Sequence, residues 1–104
     1  MRYKHNRLQQ LRGFCYAARA RSISRAAEHM SLSQPSVSLQ IQALESDMGT
    51  QLFERRGPKI RLTRDGEMLL EMAWPLVEGV DSLEESFASQ REDVARGPVV
   101  SLTN

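Results

Sequence analysis

The sequence lacks several features that would assign it to a secreted or membrane class. It has one cysteine among 104 residues, so the chain cannot form an intramolecular disulfide. No apolar run is long enough to span a bilayer. The basic start, MRYKHNRLQQL, is not followed by the apolar stretch of a secretory signal. These absences favour a protein of a reducing cytosol.

Residue patterns typical of enzymes and metal sites are also missing. His5 and His29 are far apart and have no companion cysteine at metal-ligand spacing. No Ser-His-Asp set, glycine-rich phosphate loop or pair of carboxylates expected to be buried is visible. Cys15 lies on an apolar helical stripe, which favours a small core residue over a redox sensor. We expect no enzyme activity, no catalytic residue, no metal and no cofactor in this chain.

The charges are divided between two parts of the chain, although the formal net charge is only +1. Residues 1–64 contain twelve Lys and Arg against four Asp and Glu, whereas residues 65–104 contain two against nine. A basic block beside an acidic block indicates that the first part meets a polyanion and the second does not. The alternative is that these are solubility charges distributed by chance.

Hydrophobic spacing predicts three helices in the basic part. The first covers about residues 7–20 and the second about 24–30. Ser33 is the predicted cap of the third, with Pro35 in its first turn and a glycine at its end, position 49. The inward stripe of the third helix is predicted to contain Val37, Ile41, Leu44 and Met48.

A hairpin and a long helix are predicted next. Residues 52–53 and 60–62 read as two short strands joined by a basic turn. Thr63 is the predicted cap of the long helix, and Pro75 should kink or break it. Apolar residues then alternate at spacings of four and three, which is a heptad seam. The seam consists of Leu69, Ala73, Leu76, Val80, Leu83 and Phe87.

This order of elements predicts a mainly α fold, a winged helix-turn-helix. A three-helix bundle with a β-hairpin wing would occupy residues 1–64, and a linker or dimerisation helix residues 65–94. Residues 95–104 would form a hinge and the start of a further domain. The seam could pack back on its own domain or pair with a second subunit. We expect pairing, because so small a domain offers little else for a long helix to bury against.

The third helix has the side chains expected of a DNA-reading helix. Its outer face is polar but uncharged; Gln can pair with adenine, Ser can reach base edges or phosphate, and Leu or Pro can contact a thymine methyl. The basic hairpin would contact phosphate or the minor groove. The predicted DNA-binding residues are Ser33, Gln34, Pro35, Ser36, Ser38, Leu39, Gln42, Arg55, Arg56 and Lys59.

Other interpretations of these features remain open. The third helix could be an ordinary capped surface helix, and the hairpin a turn that is basic only for solubility. Arg21 and Arg25 could meet phosphate or pair with Glu28. A protein-interaction module would need an apolar outer face, which only Leu39 and Pro35 offer.

Residues 22–66 resemble a known family. They read SISRAAEHMSLSQPSVSLQIQALESDMGTQLFERRGPKIRLTRDG, which is similar to the N-terminal DNA-binding region of LysR-type transcriptional regulators. The resemblance extends over about residues 7–90. Its motifs are the alanine pair at 26–27, SQPSVSLQIQALE at 33–45, Gly49, LFER at 52–55, and Leu62-Thr63 followed by Gly66.

The resemblance implies a bacterial, cytoplasmic and nucleoid-associated regulator of transcription. It implies a homodimer formed through the long helix, a homotetramer in the full-length protein, and an interrupted palindromic operator. It also implies a C-terminal effector domain, beginning near Val99, that binds a small-molecule inducer. The family's contacts carry over to residues 33–36, to Ser38 and to the wing residues Arg55 and Arg56. Leu39 departs from the family, which usually has a basic or long polar residue there.

Overall fold

The computed structural model describes residues 6–54 and 59–96, with side chains described as far as Asp93. Three helices, a two-stranded hairpin and a long final helix follow one another, which confirms the predicted fold class. The predicted wing-tip residues Arg55 and Arg56, and residues 97–104, lie outside the described part of the chain. The elements are α1 (Arg7–Ala20), α2 (Ile23–Met30), α3 (Gln34–Met48), β1 (Phe53–Glu54), β2 (Arg61–Leu62) and α4 (Arg64–Arg96).

The turns that join the first three helices are short, and each of these helices begins at a capping side chain. The Ser22 hydroxyl accepts a hydrogen bond from the Arg25 N–H at 3.0 Å, so Ser22 caps α2. The C-caps of α1 and α2 are Arg21 and Ser31, which adopt positive φ angles of 56° and 58°. These reversals set α2 and α3 against each other as a helix-turn-helix.

The core lies where α1, α3, the hairpin and α4 meet. The rings of Phe14 and Phe53 have centroids 5.4 Å apart, and they are among the largest fully buried side chains. Ala26 and Ala27 of α2 and several residues of α3 and α4 also belong to this cluster. They include Val37, Ile41, Leu44, Ala73 and Val77.

Glu45 takes an inward position at the end of α3 that the hydrophobic pattern did not assign. The residue is 8% exposed, and its carboxylate accepts hydrogen bonds from the backbone N–H groups of Leu52 at 2.8 Å and Phe53 at 3.1 Å. The prediction that Met48 faces inward is wrong, since its side chain is 44% exposed. Glu45, three residues before Met48, takes the buried position at this end of α3, bonded to the segment that leads into β1.

The hairpin is a short antiparallel pair in which Phe53 lies opposite Leu62 and Glu54 opposite Arg61. Its first strand is joined to α3 through Glu45, and its second leads directly into α4. The wing is therefore fixed at its base from two sides.

Helix α4 starts against the segment that precedes β1. The Thr63 hydroxyl accepts a hydrogen bond from the Gly66 N–H at 2.9 Å and donates one to the Gln51 carbonyl at 2.7 Å. The predicted cap is thus confirmed. A Cβ at Gly66 would lie 2.1 Å from the Leu52 carbonyl oxygen, so only glycine allows this approach.

Further along, α4 is tied to α1 by polar contacts. The Tyr16 hydroxyl donates a hydrogen bond to Asp81, and the Arg12 guanidinium lies 3.4 Å from the same carboxylate. Burial raises the pKa of Tyr16, and its hydrogen bond to Asp81 raises it further. The Arg19 guanidinium also stacks over the Trp74 ring, 4.1 Å from its centroid.

The predicted kink or break at Pro75 is wrong as regards a break, since α4 is one continuous helix from Arg64 to Arg96, and the kink stays a prediction. Pro75 is exposed, while Ala73 and Val77 on either side of it are buried in the core. This packing holds the helix on both sides of the missing N–H. No helix in the described part of the chain is long and apolar enough to cross a membrane.

Candidate nucleic-acid interface

The outer face of α3 is exposed, polar and free of charge. Gln34, Pro35, Leu39 and Gln42 are all exposed, and Leu39 has 63% of its surface open to solvent. No Lys or Arg occurs anywhere between Arg25 and the wing tip. A helix of this kind meets a groove through hydrogen-bond donors, acceptors and methyl contacts rather than through charge.

Two of the predicted contact serines also build the start of α3. The Ser33 oxygen accepts a hydrogen bond from the Ser36 N–H at 3.2 Å and donates its proton to the Ser36 hydroxyl at 3.0 Å. The Ser36 hydroxyl accepts in this pair, so its own O–H group can donate a hydrogen bond to a ligand. Ser38 is partly exposed one half-turn further on. The Ser33 hydroxyl is therefore used in capping α3, whereas the Ser36 hydroxyl can still donate a hydrogen bond.

The side chain of Gln34 is held by a residue that the sequence did not single out as a contact. Its amide nitrogen donates to the Ser24 hydroxyl at 3.4 Å, and both side chains are exposed. Ser24 lies in the first turn of α2, ten residues earlier in the chain. The helix-turn-helix order is the signal that could have placed these two first turns together.

The exposed positive charge lies on elements other than α3. Arg25 is exposed on α2 and Lys59, the described member of the predicted wing contacts, is exposed before β2. Among the described residues no ion pair joins Glu28 to Arg21 or Arg25, so the alternative pairing does not form. The exposed basic side chains in the described ranges are Arg19, Arg21, Arg25, Lys59, Arg61, Arg64 and Arg91.

A groove at the base of the wing brings Lys59 close to residues distant in sequence. Arg21 from the end of α1 and Arg61 from β2 line it together with Lys59. Glu54 and Glu67 line it too, so its charge is only weakly positive. By contrast, two arginines of the basic block are neutralised within the domain: Arg7 pairs with Asp47 at 3.3 Å and Arg12 with Asp81.

The predicted seam on α4 is divided between the core and the surface. Ala73 is 2% exposed and packs in the core of its own domain, whereas Leu69 and Val80 are partly buried. The exposed apolar residues form a neighbouring line that includes two methionines outside the predicted seam. We call this line the outer α4 stripe; it consists of Met68, Met72, Leu76, Leu83 and Phe87.

The buried thiol of Cys15 has no reactive environment. Cys15 is fully buried, and burial raises the pKa of its thiol to about 12. Within residues 6–54 and 59–96 no group of three or more His, Cys, Asp or Glu side chains could hold a metal ion.

Comparison with known proteins gives consistent matches. The family model of bacterial regulatory helix-turn-helix proteins of the lysR family matches residues 8–67. A RuBisCO operon transcriptional regulator from Allochromatium vinosum is 40% identical over 93 residues, which are 89% of this chain and 30% of that protein. The HTH-type transcriptional regulator CfxR from Cupriavidus necator is 40% identical over 92 residues, or 88% of this chain and 29% of CfxR. The chain thus spans about a third or less of these relatives.

Two solved structures with DNA share the fold. The BenM_DBD/catB site 1 DNA complex superposes with a TM-score of 0.67 at 32% identity, covering 88% of this chain and 98% of that one. The CbnR_DBD-DNA complex superposes with a TM-score of 0.65 at 37% identity, covering 80% and 97%. Both matches include nearly the whole of the other chain.

Proposed function

The chain belongs to the lysR family of bacterial regulatory helix-turn-helix proteins, and from this premise we propose that it binds double-stranded DNA in a sequence-specific manner to regulate transcription. The single observation that carries the proposal is the exposed, uncharged outer face of α3 between exposed basic residues of α2 and the wing. Related DNA-binding domains have been solved with DNA, and the relatives are regulators rather than enzymes.

In this proposal α3 enters the major groove, and basic side chains outside α3 contact the phosphate backbone of the DNA. Gln34 and Gln42 read base edges, Leu39 contacts a thymine methyl, and the serines donate to base edges or phosphate. Arg25 and Lys59 contact phosphate, as do Arg55 and Arg56 at the wing tip. Leu39 then distinguishes this operator from those of relatives with a polar residue at that position.

Binding to duplexes selected from a random pool tests the proposal. We expect a dyad-symmetric selected sequence to bind more tightly than random duplex at moderate salt, measured by gel shift or fluorescence anisotropy. Equal affinity for selected and random duplexes would refute it. Gln34→Ala should change relative affinity among bases by about 1–3 kcal/mol. Gln90→Ala, the same substitution at an exposed position of α4, is the matched control.

A second pair of measurements should distinguish the contribution of charge to affinity from the contribution of base contacts to sequence preference. Lys59→Ala should weaken binding to all duplexes by a similar factor and reduce the slope of log affinity against log salt by about 0.9. The order of preference among duplexes should stay the same. A change in that order would mean that the wing reads sequence.

We further propose a homodimer through α4 and a homotetramer in the full-length cytoplasmic protein, where a C-terminal domain binds a small inducer. The exposure of the outer α4 stripe supports dimerisation, because contiguous apolar surface on a helix is commonly covered by a partner. Sedimentation velocity tests it: Leu83→Glu should shift the chain towards monomer. Ser82→Glu places the same charge one residue away, off the stripe, and should not.

A further inference from the structure

We infer that Ser24 is a positioning residue for base recognition, because its hydroxyl orients the amide of Gln34 so that this amide selects adenine. The inference rests on the proposed function and deepens it. It begins from the 3.4 Å hydrogen bond that joins the amide nitrogen of Gln34 to the oxygen of Ser24. This contact links the first turn of α2 to the first turn of α3.

The hydrogen bond leaves the amide with the groups that adenine requires. A glutamine amide has two N–H donors and one carbonyl oxygen. One N–H is directed to Ser24, so one donor and one acceptor remain for a ligand. In the major groove adenine offers an acceptor at N7 and a donor at N6. The two patterns are complementary, and the bond to Ser24 uses only the donor that a bidentate contact does not need.

The opposite orientation of the amide would select a different base. With its oxygen turned to the Ser24 hydroxyl, Gln34 would direct both N–H groups outward. Guanine offers two acceptors, N7 and O6, on the same groove edge. The side of the amide that faces Ser24 therefore decides between adenine and guanine. A hydroxyl can accept or donate, and in the structure the Ser24 oxygen accepts from the amide nitrogen, which is the orientation that suits adenine.

The fold places the Ser24 hydroxyl where it can bond to the Gln34 amide. Ser22, not Ser24, caps α2, so the Ser24 hydroxyl is not engaged in capping the helix. Ser31 and Leu32 make backbone hydrogen bonds back to α2, at 3.2 Å and 2.9 Å, which keep the two helix starts in register. Ser24 need not touch a base to influence which base is read.

A double-mutant cycle on the selected duplex tests the inference. The ratio of affinities for adenine and guanine at the base contacted by Gln34 is measured for wild type, Ser24→Ala, Gln34→Ala and the double variant. Ser24→Ala should lower this ratio by about two- to tenfold, the factor that one ordinary hydrogen bond represents. It should have no further effect on the ratio once Gln34 is alanine. Ser24→Thr, which keeps a hydroxyl at this position, should keep the wild-type ratio.

Other results would overturn the inference and separate it from the proposed function. If Ser24→Ala weakens adenine and guanine duplexes equally, and adds to Gln34→Ala, then Ser24 contacts phosphate only. A wild-type preference for guanine would mean that the amide is reversed. Ser82→Ala, at an exposed serine of α4, should leave the ratio unchanged. If wild type prefers no duplex at all, the proposed function itself fails, whatever Ser24 does.

Discussion

Replacing Gly66 by alanine should destabilise the domain strongly, although alanine is the better helix former. The added Cβ would lie 2.1 Å from the Leu52 carbonyl oxygen and 2.9 Å from a methyl of Leu62. A carbon and an oxygen normally approach no closer than about 3.3 Å. The start of α4 would have to move away from the hairpin by about 1 Å, and both are held in place by Thr63.

The size of the effect follows from three contributions. Overpacking of this kind costs about 1–3 kcal/mol. The Leu52 carbonyl also accepts a hydrogen bond from the Thr63 N–H at 3.0 Å, and losing it adds about 1 kcal/mol. The higher helix propensity of alanine stabilises the variant by about 1 kcal/mol and offsets part of this loss. We therefore expect Gly66→Ala to lower the free energy of unfolding by about 2 kcal/mol.

The same substitution at Gly79 provides the control, because it lies in the same helix with nothing within 4 Å of an added Cβ. Gly79→Ala should raise the free energy of unfolding by about 0.5–1 kcal/mol. Urea denaturation followed by circular dichroism measures both variants, at several protein concentrations so that any self-association is accounted for. If Gly66→Ala matches wild type, or if both variants shift alike, the close approach to Leu52 is not a real constraint.

Three further outcomes are expected. Glu45→Ala should lower the free energy of unfolding by about 3 kcal/mol, because two buried N–H groups lose a charged acceptor. Glu45→Gln, which keeps an acceptor oxygen, should lower it less. Cys15 should not react with Ellman's reagent in the native state. Because burial raises its pKa from 9.0 to about 12, the folded state keeps the thiol proton longer, and stability should fall between pH 9 and 12. That pH dependence should be weaker in Cys15→Ala. Asp81→Asn, which removes the charge paired with Arg12, should lower the melting temperature, whereas Asp93→Asn should not.

Local chemistry in the sequence was sufficient to predict most element boundaries. Ser33 and Thr63 cap helices as their residue types suggest, and Gly49 takes the positive φ that ends α3. These signals act over three or four residues, so a linear sequence contains all the information they need.

Features that depend on contacts distant in sequence could not be predicted in this way. Met48 has inward periodicity, yet Glu45, bonded to the segment that leads into β1, takes the buried position at that end of α3. Ala73 belongs to a regular seam, yet it packs under its own domain. The contact of Gln34 with Ser24 depends on how two helices cross, which no spacing rule within one helix can give. The dimer and the DNA contacts stay predictions.

The attachment of α4 sets how movement passes through the domain. The helix is held between Gly66 and Asp81, and from there to Arg96 its described side chains are exposed or only partly covered. At 1.5 Å per residue the segment from Asp81 to Arg96 is about 22 Å long. A bend of about 10° just beyond Asp81 would displace the Arg96 end by about 4 Å. Because Ala73, Val77 and the Thr63 hydrogen bonds hold the other half of α4 against the core and the hairpin, the wing base would stay in place.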